Sequence, residues 1–249
     1  MIFVLLLLFH VIGDFYILPK RMSENKSKNV WCLVSHALII GLTYMVLSLV
    51  FIGDYEFSIS FYLIVSHFFI DFITSGFFFK LMKKENLVKY TKSIWVFIID
   101  QLCHIAILVL ISLSVMGKYD LSNKVISLIG VDIEINGMIL LLLFAILIYK
   151  PTKVYVEKVL MFAGVEEKMA TDKQSTIIGY AERTIFFVSI LANVPIVISF
   201  VIGMKTWAQS EKLKSKDNPF VGTFLIGSLT SLAVTIVLGY FYLYLYSVS

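Results

Sequence analysis

The chain begins with MIFVLLLLFHVIGDFYIL (residues 1–18), an apolar run that carries His10 and Asp14 in its interior. About 20 apolar residues in a helix span the hydrocarbon core of a bilayer, so this run is typical of a membrane helix. Ionisable side chains at that depth cost roughly 2.5–3.5 kcal/mol each on insertion scales and usually mark a functional interior. The segment HVIGDF (residues 10–15) therefore predicts a polar site inside the membrane.

The rest of the chain has the same apolar character. Of its 249 residues, 59% are hydrophobic and 15% are charged, whereas a soluble domain is about 45–50% apolar. These values predict an all-α fold, a polytopic transmembrane helical bundle of about seven spans surrounded by membrane lipids. We place the spans near residues 1–18, 30–52, 58–79, 93–117, 133–149, 176–204 and 220–247. Residues 1–117 would form a four-span bundle, and residues 118–249 would add the remaining spans within the same membrane domain.

Charge and cysteine content exclude other classes of protein. The net charge of +4 comes from lysines in the loops between the spans, which is the usual bias of cytoplasmic loops and not a patch for nucleic acid. Cys32 and Cys103 are isolated within apolar spans, without the spacing of a zinc knuckle or the density of a disulfide scaffold. We interpret both as core residues and expect no nucleic-acid partner.

The lysines and arginines of the loops predict the orientation of the chain in the cell membrane. Residues 19–29 and 80–92 are basic and should be cytoplasmic, which places the N-terminus outside. Residues 205–217 are also basic, although simple alternation places them outside. Two explanations are open: the span 133–149 does not cross fully, or Pro195 breaks the span 176–204 into a re-entrant hairpin. Residues 150–168 suit an amphipathic helix at the cytoplasmic interface.

All four histidines of the chain lie in the first four predicted spans, and three of them have a carboxylate four residues away. The pairs are His10 with Asp14, His67 with Asp71, and Asp100 with His104, and the fourth histidine is His36. Side chains four residues apart share one face of a helix. With a rise of about 1.5 Å per residue, all seven groups lie in the cytoplasmic half of the membrane. We therefore expect them to meet in one layered site.

Three interpretations of this layered site remain open. Neutral imidazoles and carboxylates are ligands of zinc and iron(II), so all seven residues are candidate metal ligands. The same residues can form a network of hydrogen bonds that fixes the register of the helices. They can also form a path for protons or ions, although the outer halves of the spans are nearly devoid of polar residues, which disfavours a path.

A weaker candidate is the pair Glu182 and Arg183, in GYAERTIFF (residues 179–187), near the cytoplasmic end of its predicted span. At that depth Glu182 could complete the site as a further catalytic carboxylate, and Arg183 could hold a carboxylate or bind a substrate anion. An adjacent pair of this kind is equally typical of an anchor at the membrane interface.

In combination, these motifs resemble the bacterial integral membrane proteins grouped as the domain of unknown function 3307 family. The resemblance rests on HVIGDF (10–15), SENKSK (23–28), SHAL (35–38), HFFID (67–71), DQLCH (100–104) and IGYAER (178–183). It departs after GDF, where YILP stands in place of the expected Leu-Gln. The family implies a membrane fold and no particular activity. A looser similarity, to membrane-bound metal-dependent hydrolases with scattered intramembrane histidines and aspartates, is an analogy.

The sequence leads to the hypothesis of a membrane-embedded, metal-dependent hydrolase. Three of the four histidines would hold zinc, with iron as the alternative, and the metal would lower the pKa of a bound water toward about 7. One of Asp14, Asp71 or Asp100 would take the proton of that water. A site near the inner leaflet suits a lipid or lipid-linked substrate. The rivals are a transport protein, a non-enzymatic sensor or partner protein, and an oxidase with two irons.

Overall fold

A computed structural model of the chain describes residues 2–18, 26, 29–51, 57–74, 93–114, 135–214 and 219–248. Every regular element in these residues is a helix, so the predicted all-α class is confirmed. The chain forms two compact units, Met1–Leu143 and Phe144–Ser249. The predicted division between residues 117 and 118 lies outside the described residues, as do the loop 80–92 and most of the loop 19–29.

The first unit contains four apolar helices that close into a ring. They are α1 (Ile2–Val11), which continues as a π-helical turn (Ile12–Ile17), α2 (Val30–Phe51), α3 (Phe57–Thr74) and α4 (Ile94–Ser114). The helices pack pairwise in the order α1, α2, α3, α4 and back to α1. This arrangement is a four-helix bundle, in which one face of every helix contributes to a common interior.

Two glycines let helices of the bundle approach closely. Gly41 of α2 lies directly against Ile64 of α3, where a Cβ atom would overlap the isoleucine side chain. Gly13, in the π-helical turn, lies against Ile40 of α2, and a Cβ atom there would be 2.9 Å from Ile40 Cδ1. Small residues are typical of such contacts in membrane bundles, because lipid offers no hydrophobic driving force for helix association. Gly13 thereby brings its neighbour Asp14 close to α2.

The second unit is built around the C-terminal helix. Its helices are the end of α5 (Ile135–Leu147), α6 (Lys150–Phe162), α7 (Lys173–Leu191), α8 (Ile196–Ala208) and α9 (Pro219–Val248), with short helical turns at Glu167–Ala170 and Ser210–Leu213. α9 packs against α6 and α7, and α7 packs against α8. The helix predicted at 150–168 is present as α6, and its position at a membrane interface stays a prediction.

The residues after α7 explain why this helix ends where it does. Asn193 has a φ of 56°, in the left-handed region. The backbone N–H of Val194 donates to the carbonyl oxygen of Ser189, and the N–H of Asn193 donates to the carbonyl oxygen of Ile190. These bonds form a Schellman motif, a common helix terminator in which asparagine can take the place of glycine. Pro195 follows directly and cannot continue the helix.

α7 and α8 form an antiparallel hairpin. Nζ of Lys205 in α8 lies 2.7 Å from Oε2 of Glu182 in α7. Glu182 lies about two and a half helical turns before the end of α7, and Lys205 lies as far beyond the start of α8, so the helices run back alongside each other. Of the two explanations for the basic segment 205–217, this geometry favours the break at Pro195. Re-entry of the hairpin into a membrane stays a prediction.

The predicted count of about seven spans is too high. Four helices in the described part of the chain are long and apolar enough to cross a membrane: Val30–Leu49, Ile94–Ser114, Asn136–Phe162 and Phe220–Val248. Three further apolar helices are shorter: Ile2–Ile17, Ile59–Thr74 and Ile196–Ala208. The prediction counted hydrophobic stretches alone. In the structure α5 leads into α6, and the turn before Pro195, one of the two breaks left open by the sequence, divides residues 176–204.

Candidate metal centre

The carboxylates of Asp14 and Asp71 meet the imidazole of His36 inside the bundle. Nε2 of His36 lies 3.3 Å from Oδ1 of Asp14 and 2.9 Å from Oδ2 of Asp71. The same Oδ2 atom lies 3.4 Å from Nε2 of His67. The side chains of His36 and Asp71 are completely buried. One carboxylate oxygen therefore lies between an imidazole of α2 and an imidazole of α3.

The four histidines come from four different helices and form one cluster. The ring centroids of His67 and His104 are 4.3 Å apart, and His10 lies 4.9 Å from His104 and 5.6 Å from His67. The ring of His36 is 5.2 Å from that of His67. All four side chains are buried. The i, i+4 spacing in the sequence and the ring of four helices together produce this convergence.

Asp100 lies beside this cluster and orients His104. Its carboxylate accepts hydrogen bonds from the hydroxyl of Thr74 and, at 3.0 Å, from Nε2 of Gln101. Its backbone carbonyl oxygen lies 2.9 Å from Nδ1 of His104. Because a carbonyl oxygen only accepts, Nδ1 carries the proton, and the lone pair of the neutral imidazole is on Nε2. Metal-binding histidines are usually held by such a bond to the other ring nitrogen.

Lys26 reaches the cluster from the segment between α1 and α2. Its Nζ lies 2.6 Å from Oδ1 of Asp71, the oxygen that the imidazoles do not share. Lys26 is the only lysine or arginine among the residues that the structure describes in the first unit. Burial alone would lower the pKa of its ammonium, but the carboxylates of Asp71, Asp100 and Asp14 raise that pKa above its ordinary value. Lys26 therefore supplies a fixed positive charge beside the cluster.

Six buried side-chain atoms of the cluster make no hydrogen bond within the described part of the chain. They are Nε2 of His10, both ring nitrogens of His36, Nε2 of His67, Oδ2 of Asp71 and Nε2 of His104. Some of these atoms are close together, yet none meets the geometry of a hydrogen bond. Each buried polar atom without a partner costs about 1–3 kcal/mol. A metal ion would reduce this cost, since imidazole nitrogens and carboxylate oxygens can donate their lone pairs to an ion.

Two groups of three residues have ligand atoms close enough to hold an ion. The first is Asp14, His36 and His67, the second is His67, Asp71 and His104, and within each group the ligand atoms lie within 4.8 Å of one another. A tetrahedral zinc ion with bonds of about 2.0–2.2 Å separates its ligands by about 3.3–3.6 Å. The separations of 2.9, 3.3 and 3.4 Å around His36 and Asp71 are close to this spacing. The geometry of the cluster thus fits a metal ion.

A small cavity adjoins the histidines. Its lining includes His10, His67 and His104 together with the hydroxyl residues Tyr44 and Ser66. The cavity volume of about 10 Å³ admits about one water molecule. A water held there would be next to His10, His67 and His104.

Glu182 and Arg183 lie in the second unit and have partners there. Glu182 pairs with Lys205, as described above. Arg183 is 3% exposed and donates from Nη1 to Oγ of Ser231, at 3.0 Å, and from Nε to the carbonyl oxygen of Ile148. These contacts hold α7 against neighbouring segments. The predicted catalytic role of Glu182 and the predicted substrate-binding role of Arg183 stay predictions.

Two residues of the cluster were missed as site residues by the sequence reasoning. Lys26 was counted only as a loop charge, although it is the lysine of the ENK motif at residues 24–26, which was its one signal. Thr74 resembles any threonine whose hydroxyl bonds to its own helix, and it does bond to the carbonyl oxygen of Ile70. The Asp100 carboxylate is the other acceptor within reach of its single O–H, and that contact depends on the packing of α3 against α4.

Comparison with known proteins points to the same part of the chain. No curated protein and no solved structure matches it. The profile of a family described as Protein of unknown function (DUF3307) matches residues 2–130, which include the whole cluster of histidines and aspartates. The motif IGYAER (178–183) lies beyond this match. By its bundle, its motifs and this match over more than half of its length, the chain belongs to the DUF3307 family.

Proposed function

We propose that the protein is a membrane-embedded, metal-dependent hydrolase whose centre is the cluster of histidines and aspartates. The observation that carries this proposal is the set of six buried ligand-type atoms without hydrogen bonds. A purely structural network would use such atoms to bind one another, because an unpaired polar atom in the interior is costly. Nitrogen and oxygen donors of this kind suit zinc, with iron as the alternative.

The residues divide into ligands and a proton acceptor. Asp14, His36, His67, Asp71 and His104 belong to the two ligand groups. Asp100 lies outside both groups, and hydrogen bonds from α3 and α4 hold its carboxylate beside them. We therefore assign Asp100 as the acceptor for the proton of the attacking water. Zinc in this site would supply a bound water with a pKa near about 7.

The proposed substrate is a lipid or lipid-linked molecule reached from the cytoplasmic half of the bilayer. The side chains of Asp14 and Lys26 are 12% and 17% exposed, whereas those of His36 and Asp71 are completely buried. Access to the cluster is therefore best at the end that is nearest to the α1–α2 connection. That connection is basic, which predicts a cytoplasmic location.

Elemental analysis of the purified chain tests the metal centre. We expect zinc or iron in a stoichiometric amount in the wild type and a large loss in His67→Ala. Thr43→Val in α2 is the matched control. In the part of the chain that the structure describes, the Thr43 hydroxyl bonds only to the carbonyl oxygen of Ile39 in its own helix. A wild type that takes up neither metal after loading would contradict the proposal, and unchanged metal in His67→Ala would remove His67 from the ligands.

Activity is tested on total bacterial membrane lipids in mixed micelles, with the products identified by mass spectrometry. We expect hydrolysis products that disappear when a chelator is added and return with zinc. Asp100→Asn should keep its metal and lose about 10²–10⁴-fold in rate, the usual contribution of a proton acceptor. A metal-loaded wild type that forms no hydrolysis product from any lipid class would remove the hydrolase and leave the metal centre.

An iron-dependent oxidase is the second candidate. Each ligand group consists of two histidines and one carboxylate, which is the composition of many non-haem iron(II) oxygenase sites. Iron in the elemental analysis, together with oxygen consumption that depends on added lipid, would favour this candidate over the hydrolase.

A further inference from the structure

We propose that the centre holds two divalent metal ions that share Oδ2 of Asp71. Asp14 and His36 would hold the first ion, and His67 and His104 would hold the second. This inference rests on the proposed function, which requires only one ion. Two-metal hydrolytic sites hold their ions about 3.5–4 Å apart and use shared oxygen atoms between them.

The first position is defined by three atoms around His36. Its Nε2 lies 3.3 Å from Oδ1 of Asp14 and 2.9 Å from Oδ2 of Asp71. These separations are close to those between ligands of one ion. His36 Nε2 and Asp71 Oδ2 are also within hydrogen-bond distance, but the hydrogen-bond geometry is not met. Nε2 of His36 therefore lies within ligand spacing of one carboxylate oxygen from Asp14 and one from Asp71.

The second position lies on the other side of the same Asp71 oxygen. Nε2 of His67 is 3.4 Å from this oxygen, and the ring of His104 is 4.3 Å from the ring of His67. The bond from Nδ1 of His104 to the carbonyl oxygen of Asp100 leaves the lone pair of His104 on Nε2. His10 completes this side, because its Nε2 is also buried without a hydrogen bond and its ring is 4.9 Å from His104.

A single ion leaves part of the cluster unexplained. An ion held by Asp14, His36 and His67 does not satisfy Nε2 of His10 or Nε2 of His104, which stay buried without partners. Two ions give a partner to every unpaired atom of the cluster except Nδ1 of His36. The cavity lined by His10, His67 and His104 lies beside the second position and has room for a water.

Two ions also reverse the charge of the centre. With neutral imidazoles, Asp14, Asp71, Asp100 and Lys26 together carry two negative charges, which one divalent ion neutralises. A second ion leaves a surplus of positive charge in a buried place, which favours an anionic ligand. Phosphate is the group that two-metal phosphatases and nucleases bind, and it occurs both in lipid headgroups and as the free ion.

Metal stoichiometry tests the second ion. The full-length chain in detergent is stripped with a chelator and reloaded with zinc, and the bound zinc per chain is measured. We expect two ions in the wild type, one in His104→Gln, one in His36→Gln, and two in the control Ser48→Ala, a buried residue of α2 outside both groups. In the manganese-loaded wild type, electron paramagnetic resonance should show two exchange-coupled ions, a readout that needs no variant.

The outcomes separate this inference from the proposed function. Saturation at one ion in the wild type would overturn the second ion and leave the proposed metal centre intact, whereas no bound ion would overturn both. Two ions that persist in His104→Gln, with no exchange coupling in the wild type, would mean adventitious binding at the surface and would also overturn the inference.

Phosphate binding tests the charge argument. Inorganic phosphate and phosphatidic acid in mixed micelles are the two probes, with phosphatidylcholine micelles as background. We expect at least one probe to bind the two-ion wild type about tenfold or more tightly than it binds His104→Gln. Binding of both probes would mean that the phosphate group is sufficient, and binding of phosphatidic acid alone would mean that the lipid is required. Equal affinities in wild type and variant would overturn the anion preference.

Discussion

The ammonium of Lys26 lies 2.6 Å from Oδ1 of Asp71, while Oδ2 of the same carboxylate lies 2.9 Å from Nε2 of His36. Asp71 therefore divides its two oxygens between a fixed cation of the chain and the proposed metal position. Because Asp71 is completely buried, it needs positive charge nearby whether or not a metal is bound. Lys26 supplies that charge in the metal-free chain.

Replacing Lys26 by methionine should destabilise the metal-free chain more than the metal-loaded chain. Without Lys26, the buried carboxylate of Asp71 loses its neighbouring cation. We expect this to lower the free energy of unfolding by about 1–3 kcal/mol, which is less than for a fully buried pair because Lys26 is partly exposed. A bound metal ion supplies positive charge to the same carboxylate and reduces the loss. Thermal unfolding in detergent, with chelator and with zinc, measures both values.

Lys153→Met is the control for Lys26→Met. Lys153 lies 3.1 Å from Glu157 one helical turn away, with side chains that are 27% and 16% exposed. A pair of this kind contributes about 0.5 kcal/mol or less. Equal destabilisation by the two substitutions, or an effect of Lys26→Met that does not depend on metal, would contradict the role assigned to Lys26.

The Lys26 pair should be insensitive to pH over the physiological range. Burial lowers the pKa of Lys26, but Asp71, Asp100 and Asp14 outweigh burial and raise it above the ordinary value. The pKa of Lys26 in the folded chain is thus higher than its pKa of about 10.4 in the unfolded chain. The pair therefore contributes its full stability below about pH 10.4, and this stability is lost only as the pH rises through the higher, folded-state pKa. The stability difference between wild type and Lys26→Met should therefore be constant from about pH 7 to about pH 9 and shrink only at strongly alkaline pH. A difference that already shrinks below about pH 9 would show that the pair is weaker than its geometry indicates.

Thr74→Val should destabilise the bundle more than Thr43→Val. Both hydroxyls lie within hydrogen-bond distance of the carbonyl oxygen four residues before them, but only Thr74 can instead donate its single proton to a carboxylate, that of Asp100. Its loss leaves a buried carboxylate oxygen without that donor, at a cost of about 1–3 kcal/mol, whereas Thr43→Val should cost about 1 kcal/mol or less. Chemical or thermal unfolding in detergent gives the two values. Similar costs would mean that the Thr74 to Asp100 bond contributes little.

Gly41→Val should separate α2 from α3 and destabilise the bundle. The new side chain would overlap Ile64, and overpacking of this kind costs about 1–3 kcal/mol. Gly203→Val in α8 is the control, because no atom lies within 4 Å of the position of its Cβ, and its effect should be within about 1 kcal/mol. Unfolding measurements on both variants test the expectation. A Gly41 variant as stable as the wild type would mean that α2 and α3 do not pack closely.

Residues on either side of the α7–α8 hairpin should react from the same side of a membrane. In a chain whose own cysteines are replaced, Gln174→Cys lies just after the start of α7 and Glu211→Cys lies just after the end of α8, and both positions are exposed. Because the hairpin returns the chain to the side it came from, both should react with a membrane-impermeant maleimide in inverted vesicles and neither in right-side-out vesicles. Reaction of the two residues from opposite sides would mean that the segment crosses the membrane.

The polar residues of the centre could be predicted from the sequence because helical periodicity is a local property. His67 and Asp71 share a face of α3 whatever packs against it, and the same holds for Asp100 and His104 on α4. Lys26 could not be placed in this way, since its contact with Asp71 joins residues 45 positions apart through a connecting segment. Nor does the sequence indicate that the turn around Asp14 is π-helical.

The number of spans could not be predicted from hydrophobicity because it depends on where helices end. The turn at Asn193 is stabilised by backbone hydrogen bonds and by a left-handed conformation, which contribute little to a hydropathy average. Pro195 is the signal for this turn in the sequence, and it predicts a break at this place. At the connection of α5 to α6 the hydropathy average ends the predicted span too early, at residue 149. The charged residues of α6 lower the average, although the helical segment Asn136–Phe162 continues through them.

The antiparallel course of α7 and α8 has a consequence for the predicted topology of the second unit, provided that the hairpin enters a membrane. A hairpin that begins and ends at one surface adds an even number of crossings, so the chain leaves it on the side from which it entered. Among the described residues after this hairpin, α9, with its 30 residues, is the helix that is long and apolar enough to change sides. The basic segment at 205–217 and the C-terminal residues would therefore lie on opposite surfaces, separated by a single helix.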